Sequence, residues 1–576
     1  MRTDRRLGAF ALTVITVRRL TLTLIGLSVG VGLLGVLAPA FGWLPALGGE
    51  QVTLAHWRAL FAKPGLVTMI TLSLVPGIVS ALVAFIAVVT LCGTCLHMRL
   101  FSLLRRLLSP LLAVPHAAAA IGLAFLIAPS GLASRAISPW ATGWQAPPDY
   151  LLPGDPWGLA LTLGLVTKEM PFLLLMTLAA LPQCQAAQRL QVARALGYAP
   201  LTAFLKGVLP SLYPLIRLPL FAVIAYATAS VDMALILGPS TPPPLAVAVI
   251  RWMQDPQLSM RFVASSAAVL QLIVTLGALA LWWLGERVVI WVARARIHDG
   301  RRHTLARSGP LMGLGLAGLP ILLMLAGLLG LVLWSLATYW PFPELFPSPL
   351  TARNWIRALP SLYEPLLTTS ALALLSTFIA LVLVTLLLEA EHITAKRRDS
   401  AASFAATTLL YLPLLVPPVA FLFGLVQWQT QLGMQPGHLA VLGGHLLFVL
   451  PYVYLSLAES QRRLDPRWTQ MAATLGAGPA RRFWRVRLPL LTVPLLTASA
   501  VGMAVSVAQY LPTVLLGAGR VTTLTSEAVS LASGGDRRLT AVLALLQLAL
   551  PALGFLLALG LPRWCLRNRS GLWRTT

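Results

Sequence analysis

Apolar stretches of 18 or more residues recur along the whole chain, separated by short polar or basic segments. At about 20 residues per crossing helix, they predict membrane spans near 20–43, 66–93, 108–128, 158–182, 215–238 and 263–285. A second set follows near 311–337, 367–388, 408–430, 439–458, 493–516 and 538–562. The strict alternation of a membrane β-barrel, in segments of about ten residues, is absent. The pattern predicts an all-α polytopic membrane protein with about 12 transmembrane helices, seated in a lipid bilayer.

Composition agrees. Of 576 residues, 57% are hydrophobic and 11% charged, against roughly 25% charged in soluble domains. The formal net charge of +25 would suggest a nucleic-acid partner in a soluble protein. Here the cations sit between apolar runs, which points to membrane orientation and no nucleic acid. Segments on one side of the predicted topology hold 32 Lys and Arg, and those on the other hold 10. Cations mark the cytoplasmic face, so both termini are expected in the cytoplasm. The Arg-rich start, an apolar run and Ala38-Pro39-Ala40 imitate a secretory signal. The run is longer than a usual signal core and reads as an uncleaved anchor. Cys92, Cys95, Cys184 and Cys565 are too scattered for a disulfide framework or a zinc site. The scattered histidines give no metal-binding pair, so no metal site is expected.

Residues 193–210, ARALGYAPLTAFLKGVLP, recur as 472–489, AATLGAGPARRFWRVRLP. At a constant offset of 279, Ala193 matches Ala472, Leu196 matches Leu475, and Gly197 matches Gly476. Pro200, Phe204, Leu209 and Pro210 match Pro479, Phe483, Leu488 and Pro489 in the same way. Both copies fall in cytoplasmic loops between the fourth and fifth spans of a set of six. Such repeats mark internally duplicated transporters. The expected organisation is a cytoplasmic segment 1–19, a first half 20–285, a basic linker 286–310, a second half 311–562 and a cytoplasmic tail 563–576. Within each loop a helical stretch leads to a glycine suited to ending it. A short amphipathic stretch centred on Phe204 or Phe483 comes next, then Leu-Pro at the entry to the following span. The stretch after the glycine is expected to present a knob to a cytosolic partner. An ordinary orienting loop would not need the Gly-to-Pro spacing of 13 residues found in both copies.

These residues resemble the EAA loop of binding-protein-dependent ABC transporter permeases. The motif positions are Gln191, Val192, Ala193, Gly197, Gly207, Leu209 and Pro210 in the first half. In the second they are Gln470, Met471, Ala472, Gly476, Val486, Leu488 and Pro489. Gln replaces the consensus Glu in both copies, and Gly207 stands where a hydrophobic residue is usual. The resemblance implies the fold of a type I importer permease with two homologous six-helix halves, similar to the fused thiamine and iron(III) permeases. It also implies an inner-membrane location, a separate cytoplasmic ABC ATPase (as a homodimer) docked on the two loops, and a periplasmic substrate-binding protein. The loop residues expected to couple to the ATPase are Gln191, Ala193, Gly197, Phe204, Leu209 and Pro210, with Gln470, Ala472, Gly476, Phe483, Leu488 and Pro489. A phosphate-binding loop needs a Gly-Lys pair. Lys63, Lys168, Lys206 and Lys396 follow Ala, Thr, Leu and Ala, so ATP is expected on the partner, with no catalytic residue or cofactor in this chain.

Lys168, Glu169 and Asp232 fall inside predicted spans. Charges there cost roughly 2.5–3.5 kcal/mol on insertion scales and by default face an interior or aqueous path. They are candidates for the translocation pathway or for an interhelical ion pair. Gly26-x-x-x-Gly30 fits close helix contact, and Trp140, Trp144, Tyr339 and Trp340 fit interfacial anchors. The competing class is an ion-gradient-driven secondary transporter with 12 helices. Its motifs would be expected after the second and eighth spans, where LHMRLFSLLRRL and EAEHITAKRRDS do not resemble each other. A membrane enzyme would need a catalytic cluster that the sequence does not offer.

Overall fold

The computed structural model describes residues 9–96, 98, 101, 111, 113–297, 302, 309–395 and 400–565. Expectations for 1–8, for most of 97–112 with the start of the 108–128 span, for 298–301 and 303–308 of the linker, for 396–399 and for the tail beyond 565 lie outside the described residues.

In a bilayer each backbone N–H and C=O must be satisfied within the chain, which favours helices. Among the described residues the strands amount to one hairpin, Trp43–Leu44 paired with Gly49–Glu50. Ten helices are long and apolar enough to cross a membrane, and two bent pairs bring the number to twelve. The bent pairs are Thr408–Leu415 with Pro418–Gln431, at 95°, and Pro479–Leu490 with Thr492–Val507, at 73°. Pro417 and Pro418 account for the first bend, since neither offers an N–H to continue the ladder. Helix ends extend past several predicted spans. Arg353–Ala395 has 43 residues, or roughly 60 Å at about 1.5 Å per residue, twice the hydrocarbon thickness of about 30 Å. The apolar run therefore shows only its middle.

The predicted 215–238 span is interrupted. Leu209–Thr228 ends, and a separate short helix, Asp232–Leu237, follows. The offset counterpart does the same, with Thr492–Val507 followed by Leu511–Gly517. Side chains take the freed carbonyls at both breaks. Gln271 Nε2 donates to the Thr228 oxygen at 3.0 Å. Thr525 Oγ1 donates to the Val507 oxygen and accepts from Gln547 Nε2 at 2.6 Å. Asp232 thus opens a new helix instead of ending a span.

The offset of 279 extends beyond the loops. Pro200–Ala203 corresponds to Pro479–Arg482, and Leu245–Met253 to Leu524–Ala532. Even the cap of that last helix is repeated: Leu245 N donates to Ser73 Oγ at 3.0 Å, and Leu524 N to Thr369 Oγ1 at 2.9 Å. Leu66–Cys95 packs on Leu159–Ala180 and Leu209–Thr228, as Arg353–Ala395 packs on His438–Arg462 and Thr492–Val507.

The leading helices cross over. Ala9–Ala40 packs chiefly on Pro418–Gln431, while Gly309–Leu336 packs on Leu66–Cys95 and His116–Ile127. Each crossing is a glycine pair. A Cβ on Gly424 would lie 1.7 Å from the Gly32 oxygen, and one on Gly327 would lie 2.8 Å from the Gly122 carbonyl carbon. Close contact in the first helix runs through Gly26, where a Cβ would lie 2.9 Å from Leu409, and through Gly32 and Gly35, while nothing lies within 4 Å of a Cβ on Gly30.

Trp340 is buried instead of anchoring at the lipid interface. Its ring lies 4.6 Å from the Arg135 guanidinium. Arg135 donates to the carbonyl oxygens of Ser130 (3.0 Å), Pro341 (2.6 Å), Glu344 (2.8 Å) and Trp340 (3.1 Å). This one side chain ties the 129–158 loop to the 337–352 loop. Trp140 and Tyr339 remain exposed. Cys92, Cys95 and Cys184 are free and buried.

Candidate coupling loops and intramembrane site

The two repeated loops have one local structure. Ala186–Ala195 and Pro466–Thr474 form the leading helices. Gly197 and Gly476 follow with φ of 83° and 79°, the left-handed region where glycine carries no Cβ penalty. Tyr198 N donates back to the Ala193 oxygen at 3.2 Å, and Ala477 N to the Ala472 oxygen at 2.9 Å. This is the bond that closes a helix at a left-handed glycine. The motif alanines thus supply the closing carbonyls.

Pro200 and Pro479 open the next helical turn, where their fixed φ and missing N–H cost nothing. A widened π turn spans Phe204–Val208 and Phe483–Arg487, and Leu209 and Leu488 lead into the following helices. Pro210 and Pro489 sit in the first turn of those helices.

Exposure divides the expected coupling residues in the same way in both copies. Gln191, Gly197 and Pro210 are exposed, as are Gln470, Gly476 and Pro489. Ala193, Leu209, Ala472 and Leu488 are half-buried. Phe204 and Phe483 are only 0% and 2% exposed. They seat the loop on the bundle: Phe204 lies over Gly93, and the Phe483 ring is tilted against that of Phe10, 5.7 Å between centroids. Trp484 in the stretch after the glycine is exposed, and so is the helix before the glycine. Its tip is an apolar residue that the motif reading missed, Leu196 at 58% exposure and Leu475 at 85%. The repeat already showed both leucines. An identity at a position with no packing role was the available signal.

A Cβ at Gly207 would meet Ala193 Cβ only at an ordinary contact distance, 3.9 Å, so packing does not demand a glycine there. Nearby, Arg189 donates to Ser211 Oγ at 2.6 Å. The second loop is held differently, by a buried ion pair between Arg487 and Glu389 at 2.6 Å.

Lys168, Glu169 and Asp232 are all buried. Lys168 Nζ donates to the Val114 carbonyl oxygen. Glu169 Oε1 lies 3.9 Å from His116 Nε2, and the electrostatic neighbours of Glu169 include Lys168 and Asp232. Asp232 Oδ1 accepts from Tyr226 OH at 3.2 Å and Ser230 Oγ at 3.4 Å. The His116 and Tyr226 rings are 4.7 Å apart. The structure therefore gathers the three predicted charges into one cluster and adds His116 and Tyr226, which no sequence spacing linked to them.

Known proteins resemble this chain in sequence. Residues 392–563 match the family model described as "Binding-protein-dependent transport system inner membrane component". The chain is 32% identical over 541 residues to the inner membrane ABC transporter permease protein YnjC of Escherichia coli (strain K12), covering 93% of this chain and 96% of that protein. A shorter match, 32% over 114 residues, reaches the molybdenum transport system permease protein ModB of Mycobacterium tuberculosis, covering 18% of this chain and 43% of that one. Near full-length similarity to a permease and the second-half family match, with its loop repeated in the first half, lead to one assignment. The chain belongs to the binding-protein-dependent ABC transporter permeases, a family of multi-pass membrane components.

Proposed function

We propose that this chain supplies both halves of an importer's permease, 20–285 and 311–562, on one polypeptide joined by the basic 286–310 linker. The observation that carries the reading is the matched pair of exposed helix tips, Gln191 to Gly197 and Gln470 to Gly476, built alike 279 residues apart. Two like knobs suit an ATPase dimer with two like sockets, which favours a homodimer. ATP is bound and hydrolysed on that partner, and closure of the dimer pushes the two knobs so that the path opens alternately to each side. A periplasmic binding protein delivers cargo to the outer face, and both termini lie in the cytoplasm with the basic loops. The molybdenum in the name of one relative does not extend to this chain, because that match spans too little of it.

The test is reconstitution of the purified permease with the ABC ATPase and the binding protein of its transport system. Leu196→Asp with Leu475→Asp places a carboxylate on each tip without touching the buried Phe204 and Phe483. It is expected to abolish ATPase co-purification and transport while leaving the permease folded. Full stimulated hydrolysis by that double variant would refute the docking assignment.

A further inference from the structure

We infer that the intramembrane cluster is a cargo subsite for an organic cation, one carrying an ammonium, amidinium or similar delocalised positive group. This rests on the reading of the chain as an importer permease and deepens it.

Three observations converge. The first is composition. Two carboxyl groups, Glu169 and Asp232, stand against one amine, Lys168, whose Nζ donates to the Val114 carbonyl oxygen. The cluster is richer in acceptors than in groups that would hold an oxyanion.

The second is an unfilled acceptor. Glu169 is 5% exposed, yet its Oε1 has no hydrogen-bond partner among the described residues. Buried polar atoms are overwhelmingly paired, and an orphaned one is costly. A carboxylate retained only for helix packing would be expected to be satisfied by the protein. One awaiting a cationic or hydrogen-donating ligand would not.

The third is the wall. The rings of His116 and Tyr226, tilted 45° to each other, lie beside the carboxylates, Tyr452 is an electrostatic neighbour of Glu169, and Tyr510 one of Asp232. Tyr452 comes from the second half and faces Phe172 of the first at 6.4 Å between ring centroids. None of the four residues His116, Tyr226, Tyr452 and Tyr510 is fully buried. Aromatic faces around carboxylates recognise organic cations, because the ring quadrupole attracts a desolvated positive charge.

The site is one-sided. At the 279 offset, Lys168, Glu169 and Asp232 become Leu447, Phe448 and Leu511, so a single cargo group is held off the axis relating the halves.

Equilibrium dialysis of the nanodisc-embedded permease tests this with radiolabelled tetramethylammonium and choline, and with sulfate and mannitol as anionic and neutral probes. The expected result is saturable binding of the ammonium probes alone. Glu169→Gln should weaken it about tenfold, as should Tyr452→Leu, while Tyr452→Phe, which keeps the ring face, should bind like the parent. If Glu169→Gln does not fold, the Tyr452 pair decides. Saturable sulfate binding, absent ammonium binding, or unchanged binding in Tyr452→Leu would each overturn the inference. The Leu196→Asp, Leu475→Asp variant should lose ATPase docking and keep probe binding. Failure of the coupling reading is thereby separated from failure of the cargo site.

Discussion

Arg487 and Glu389 provide the sharpest test of how a coupling loop is held. Arg487 closes the widened turn of the second loop, and Glu389 projects from Arg353–Ala395. Their charged atoms meet at 2.6 Å, and the side chains are only 5% and 7% exposed. The first half has no such pair. Val208 stands at the position of Arg487, and Gly93 at the position of Glu389 if Ser73 and Ser80 are matched to Thr369 and Ser376, at an offset of 296. There the loop rests on Leu201 and Phe204 packed over Gly93. Arg487→Leu would leave a buried carboxylate with Arg482 as its remaining charged neighbour. Removing one partner of a buried pair costs about 3–5 kcal/mol, whereas exchanging both for apolar groups of similar volume is often neutral. The double variant Glu389→Leu, Arg487→Leu should therefore recover most of the loss, giving a coupling energy of about 3 kcal/mol in the cycle. Chemical unfolding in nanodiscs measures the stability, and ATPase stimulation in the reconstituted complex measures loop placement. The reasoning is refuted if Arg487→Leu stays within about 1 kcal/mol of the parent. It is also refuted if the two substitutions simply add.

Two further outcomes follow from packing. Gly424→Ala should prevent a folded permease from accumulating, because its Cβ has no room against the Gly32 oxygen, while Gly30→Ala should be silent; size-exclusion profiles in mild detergent distinguish them. Arg135→Leu removes the donor to four carbonyl oxygens and should loosen the 129–158 and 337–352 loops, read as accelerated proteolysis within those loops and a lower melting temperature. Arg135→Lys should rescue it poorly, since an ammonium cannot reproduce a planar fork stacked on Trp340.

The helix content and the repeat were legible because bilayer solvation forces an apolar run onto every crossing, and because Gly197 and Gly476 need a conformation that few other residues adopt. The role of Phe204 and Phe483 was not legible. An aromatic at the centre of a short amphipathic stretch has the same spacing whether it points at a partner or into the bundle, and only the packing on Gly93 and Phe10 separates the two. The break after Thr228 was hidden for a related reason. Its carbonyl is taken by Gln271 from another helix, a contact 43 residues away that no local pattern encodes. Lys168, Glu169 and Asp232 were visible as anomalies, but His116, Tyr452 and Tyr510 looked like ordinary helix residues until the fold placed them around the same carboxylates.

Symmetry is kept or lost according to what each region meets. The two repeated loops match in dihedrals, capping bonds and exposed tips. The crossed leading helices keep their glycine pairs because each half would otherwise lack cover on one face. The charged cluster has no second-half counterpart. A single cargo lying between the halves needs only one set of specific contacts, and a duplicate set of buried charges would add desolvation cost without adding a ligand. Fusion of the halves makes that divergence possible. In a homodimeric permease any carboxylate placed in one wall would appear in both, so carboxylates near the axis would meet their own copies across it. On one chain, Leu447, Phe448 and Leu511 can stand at those positions of the second half instead.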